Sequence, residues 1–119
     1  MMTTRDPVMD LQVIRATRIL TAKRIPEPNH SAYNDAIEAN VAMLEDIRLQ
    51  VNPARWLERY LLGARFMAGH YRRLARQEQP KEAYRAYAEQ KHIAYGVIWA
   101  VLEDLFWGFI HEKMPDFYE

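Results

Sequence analysis

Apolar residues recur along this chain at spacings of three and four, the period of helices with one buried face. No stretch alternates apolar and polar residues as a half-buried strand would. Proline and asparagine divide the pattern into four helical segments. Asp6 and Pro7 read as a cap and a first helical residue, opening a helix over roughly 6–23. "IPEPNH", residues 25–30, is a stiff extended linker because both prolines disfavour helix. Ser31 reads as the cap of a second helix, 31–50, and Asn52-Pro53 repeats the cap-and-proline signal for a third, 53–77. Pro80 opens a fourth, 80–113, which Pro115 follows. The expectation is an all-α, four-helix bundle-like single domain over 1–119, with a long, largely apolar C-terminal helix.

Advancing each residue by about 100° shows which face each helix buries. Helix 1 gathers Met9, Val13, Ala16 and Leu20, leaving Leu11 and Ile14 elsewhere. Helix 2 gathers Tyr33, Ile37, Leu44, Ile47 and Val51 around Asn40. Helix 3 gathers Leu57, Tyr60, Leu61, Ala64, Met67, Ala68, Tyr71 and Ala75, with Ala64 and Ala68 on a ridge that lets a neighbour come close. Helix 4 has a full core stripe in Tyr84, Tyr87, Ala94, Ile98, Val101, Leu102, Leu105 and Phe109.

Helix 4 also has a second apolar side. Glu103 and Asp104 project away from the core stripe, but Ile93, Trp99, Trp107 and Ile110 share their side. Gly96, Ala100, Asp104 and Gly108 form a row of mostly small residues on it. Tryptophan is enriched at interface hot spots, and apolar patches of this kind mark association surfaces. Ile93, Gly96, Trp99, Ala100, Glu103, Asp104, Trp107 and Ile110 are therefore the expected interface, to a second copy as a dimer or to another protein. The competing expectation is that helix 1 or the tail "MPDFYE" covers this side within the chain.

Composition narrows the field further. Half of the 119 residues are hydrophobic, enough for one core, and the formal net charge is zero. Net charge alone thus favours neither a nucleic-acid nor a membrane partner. The absence of cysteine excludes disulfides and thiol chemistry and fits a cytoplasmic location. The first twenty residues hold no continuous apolar core of signal-peptide length. The run from Ile93 to Ile110 approaches membrane-spanning length, but two adjacent carboxylates at its centre argue against insertion.

Charge is nevertheless unevenly placed. Between Pro53 and Arg76 lie six arginines and one acid, Glu58, for a net +5. From Gly96 to Glu119 there are five acids (103, 104, 112, 116 and 119) and Lys113, for a net −4. The two helices look complementary, within one chain or across a pair. Arg55, Arg59, Arg65, Arg72, Arg73 and Arg76, with Phe66 for stacking, form a basic surface whose alternative partner is nucleic acid.

Chemistry is thinly supported. Glu89-x-x-His92 has the spacing of a di-metal bundle site, but it occurs once and on the outer side of helix 4. His30, His70 and His111 read as surface or boundary residues, and Ser31 as a cap rather than a nucleophile. Glu103 and Asp104 diverge on their helix, whereas an acid–base pair must converge. No phosphate-binding glycine loop is present. The inward tyrosines 33, 60, 71, 84 and 87, with Tyr95 at the edge and Asn40 among them, suggest either a polar-tipped core or a ligand pocket. The sequence thus points to a non-enzymatic, cofactor-free interaction module of bacterial or phage type. Metal or small-molecule binding ranks third.

Overall fold

A computed structural model of the chain describes residues 7–50, 52–77 and 81–113. It contains α1 (Pro7–Ala22), α2 (Ser31–Ile47), α3 (Pro53–Arg76) and α4 (Glu82–Lys113), with no strand among the described residues. The fold is all-α and bundle-like, with the long C-terminal helix packed against the other three. Asp6, Val51, Pro80 and the acids Asp116 and Glu119, with the rest of the "MPDFYE" tail, lie outside the described residues.

Two helix ends differ from the sequence pattern. Ser31 is the first helical residue rather than the cap; His30 stands in the cap position, without a side-chain cap hydrogen bond. α2 stops at Ile47 instead of 50, because Leu49 and Gln50 turn their amides back to the carbonyls of Asp46 and Ile47. α3 begins as expected, with Asn52 at the cap and Pro53 in the first turn.

The helices do not form a square bundle. α4 is a hub: α3 packs along most of its length, α1 and α2 pack on its other side, and α2 and α3 barely touch. α3 runs antiparallel to α4, since Arg65 meets Trp99, Ala68 meets His92 and Tyr71 meets Tyr87. A helix of 32 residues is about 48 Å long, which accounts for the longest molecular dimension of 52 Å. By length and composition α4 would pass for a membrane span. Of its most apolar stretch, 33% is buried against the other helices.

One apolar cluster draws on all four helices. Met9, Val13, Ala16 and Leu20 of α1 enter it as the periodicity predicts, with Thr17, whose hydroxyl donates to the Ile14 carbonyl. Ala36, Ile37, Leu44 and Ile47 come from α2, and Ala94, Ile98, Leu102, Leu105 and Phe109 from α4. α3 contributes mainly small residues: Leu57 and Ala64 join the cluster, and Ala68 and Ala75 are buried beside it. Its backbone therefore lies close to α4. The linker is clamped rather than loose. The Asn34 side chain accepts from the Ile25 amide and donates to the Ile25 carbonyl, and the Tyr33 hydroxyl donates to the Lys23 carbonyl. Gln90 of α4 completes the tie, donating to the Asn29 carbonyl and accepting from the Tyr33 amide.

Candidate functional site

α1 and α3 flank α4 but leave a strip of it open between them. Ile93 and Trp107 stand 48% and 42% exposed on that strip, with Ala100 and Asp104 also exposed. The other residues of the expected interface are partly covered from the two sides. Trp99 lies under the Arg65 guanidinium of α3, which stands 5.7 Å from the ring centroid. Gly108 is approached by α1: a Cβ there would stand 2.9 Å from Gln12 Oε1. Gly96, Glu103 and Ile110 are half-buried. Intramolecular cover and exposure thus divide the strip. The most exposed residues of the strip centre on Ala100, with Ile93 and Trp107 about two turns to either side.

The arginines of α3 are the second feature. Arg55, Arg59, Arg65, Arg72, Arg73 and Arg76 are all exposed, and none pairs with a carboxylate among the described residues. Ion pairs lie elsewhere: Arg24 with Glu38, and Arg48 with Glu45 and Asp10. Complementarity between α3 and α4 is therefore not satisfied by pairing within the chain among these residues. Arg59 instead covers the Trp56 ring at 5.2 Å. Leu62 and Phe66, 55% and 63% exposed, lie among the arginines. Phe66 already stacks on His70, at 5.9 Å.

The tyrosines gather differently from the pattern. Tyr84 and Tyr87, expected in the core stripe of helix 4, are exposed, six and three residues before Gln90, where α4 meets the start of α2; Ala88 is buried. Tyr71 of α3 meets Tyr87 edge-on at 6.1 Å and stacks on Tyr95 at 6.0 Å. Lys91 sits 5.6 Å over Tyr87. Tyr95, Tyr60 and Asn40 line a cleft between α2 and α3. The wheel pattern points Tyr60 and Asn40 inward, with Tyr95 at the edge, and suggests a pocket among them, but it does not place one between α2 and α3. Met43, Gly63 and Met67 are its remaining signals, and each fits an ordinary helix face.

Burial, first, raises the Tyr95 hydroxyl above its usual pKa, and the neighbouring Tyr87 raises it further. Burial likewise raises Tyr71, followed by its hydrogen bond to Tyr87 and the charges its tyrosine neighbours would carry. A phenol held neutral in the fold contributes stability that is fully present below its unfolded pKa. That stability is lost as pH rises through the higher folded value. The urea midpoint is therefore expected to fall as pH climbs past about 10, and Tyr71→Phe/Tyr95→Phe to flatten the fall while retaining the rings. An equal fall in both proteins would show that other groups govern alkaline stability.

Glu89 is exposed, whereas His92 turns toward α3 with Nδ1 3.1 Å from the Ala68 carbonyl. The two do not converge, and no three histidine, aspartate or glutamate side chains cluster as metal ligands among the described residues. His30 is half-buried at the α2 cap and His111 exposed on α4. No protein-family model, curated protein or solved structure matches the chain. Its function is argued from these surfaces alone.

Proposed function

We propose that this is a non-enzymatic, cytoplasmic interaction module that pairs with a second copy of itself through the open strip of α4. The observation that carries the reading is an exposed Ile93 and Trp107 placed symmetrically about Ala100. A two-fold axis at Ala100 sets Ile93 against the partner's Trp107 and Gly96 against the partner's Asp104, an antiparallel contact with small residues at its centre. Charge favours the same axis. Because α3 packs beside α4, it carries Glu103 and Asp104 of α4 toward the arginine-bearing α3 of the partner. Such pairs contribute only ~0–1 kcal/mol each, so they select register while the apolar anchors supply affinity.

Light scattering coupled to size exclusion tests this. The wild type is expected to run as a dimer. Trp107→Ala is expected to weaken pairing by about 2 kcal/mol, a roughly thirtyfold higher dissociation constant, with the helical signal intact. A monomeric wild type, or a variant that pairs as well, overturns the reading.

A second reading rests on the six arginines without carboxylate partners and the exposed Phe66 among them. They suit a single-stranded nucleic acid, with phosphates on the guanidinium groups and a base on the ring. On that reading an oligonucleotide binds with a steep salt dependence, and Arg72→Ala/Arg73→Ala weakens binding and reduces the salt slope by roughly 1.4. Absence of saltable binding removes it.

A further inference from the structure

The cleft between α2 and α3 has a volume of about 260 Å³. Tyr95 of α4 floors it; Asn40 and Met43 of α2 face Tyr60, Gly63 and Met67 of α3 across it. It exists because α3 is held by α4 and hardly meets α2, so the two walls stand apart. No charged side chain lines it among the described residues. None of its lining residues belongs to the exposed strip of α4.

Asn40 is the informative residue. It is only 7% exposed, and its Nδ2 donates to the Ala36 carbonyl of its own helix at 2.8 Å. Its Oδ1 has no hydrogen-bond partner among the described residues and is not sealed from solvent. An asparagine that fixes helix register bonds across to another helix, and this one does not. An accessible acceptor on a mostly buried side chain at the cleft can exchange its water for a ligand's donor.

We infer that the cleft binds a small, uncharged, fused-ring aromatic molecule whose single hydrogen-bond donor is received by Asn40 Oδ1. Size, lining and charge each restrict the ligand. An apolar cavity of about 150 Å³ admits benzene, so this larger, open-sided cleft has room for two fused rings. Met43 and Met67 are adaptable walls that favour aromatic contacts through sulfur. The Tyr95 ring is fixed by its stack on Tyr71, at 6.0 Å and 4° between planes, and offers a rigid aromatic floor. A charged ligand would lose its hydration against walls with no counter-charge.

The test titrates the full chain with 2-naphthol and with 2-methoxynaphthalene, which keeps the rings but lacks the donor. Calorimetry gives affinity, and backbone amide NMR gives the site. 2-Naphthol is expected to bind at one saturable site, shifting the amides of Asn40, Gly63 and Tyr95. It should bind roughly three- to tenfold more tightly than 2-methoxynaphthalene, and that preference should vanish in Asn40→Leu. Gly63→Leu fills the cleft from its rim, where a Cβ meets nothing within 4 Å, so the fold is retained. This variant should weaken binding by roughly tenfold or more. Absence of saturable binding, or binding that Gly63→Leu leaves unchanged, overturns the inference. An equal affinity for the two compounds in the wild type overturns the role given to Asn40.

Discussion

Leu102→Ala is expected to lower the free energy of unfolding by about 3–4 kcal/mol, the upper part of the range for truncating a buried leucine. Leu102 is fully buried at the middle of the hub helix, within one turn of Ile98 and Leu105 and two of Phe109. The loss has two parts: the transfer free energy of the removed carbons, and the cavity left behind when neighbours cannot close in. Closure is hindered here because α4 is held from both sides, by α3 on one and by α1 and α2 on the other. A shift of α4 toward one partner opens a gap at another. Urea unfolding followed by circular dichroism reads the effect as a lower midpoint with an unchanged slope. Leu11→Ala, at a half-exposed position of α1, serves as the control and should fall within about 0.5 kcal/mol of wild type. A loss below about 1 kcal/mol in Leu102→Ala would mean that the hub relaxes into the space and that α4 is not rigidly held.

Much of this architecture was legible because its signals are local. Proline and asparagine punctuation located all four helices, and the three-and-four spacing picked out Met9, Val13, Ala16 and Leu20 without any tertiary information. The misplaced residues depend on where a neighbouring helix stops or tilts. Tyr84 and Tyr87 sit at the correct angle for the core stripe but too near the start of α4 for α2 to reach them. Trp99 lies on the outward side by angle, yet the long Arg65 side chain reaches over it. Gly108 looked like part of an open groove, and Gln12 occupies that approach. The cleft was the least legible feature. It arises from a separation between α2 and α3, and no periodicity within either helix encodes the distance to the other.

Ala64→Phe is expected to cost about 1–3 kcal/mol, the usual range for overpacking, and to act mainly on one helix. α3 meets α4 through Leu57 and three buried alanines, Ala64, Ala68 and Ala75, so the two backbones approach closely over most of that contact. Ala64 borders the cleft as well as the contact with α4, so part of a phenyl ring there enters the cleft and the rest pushes α3 outward, and α3 has little else to hold it, since it barely touches α2. Of the buried residues in the shared cluster only Leu57 and Ala64 come from α3, so most of it, from α1, α2 and α4, lies outside that contact. Native-state hydrogen exchange should therefore show protection falling first in α3 and the facing turns of α4. Amides of α1 and α2 should keep theirs. Leu102→Ala should instead lower protection in all four helices, because it removes atoms from the shared cluster. The same displacement bears on function. It moves Tyr60, Gly63 and Met67 away from Asn40, and Arg65 away from Trp99, so naphthol binding and pairing should both weaken. Uniform loss of protection across the four helices in Ala64→Phe would show that α3 opens only with the whole domain. The cleft would then be a fixed feature of one cooperative core rather than the edge of a separable helix.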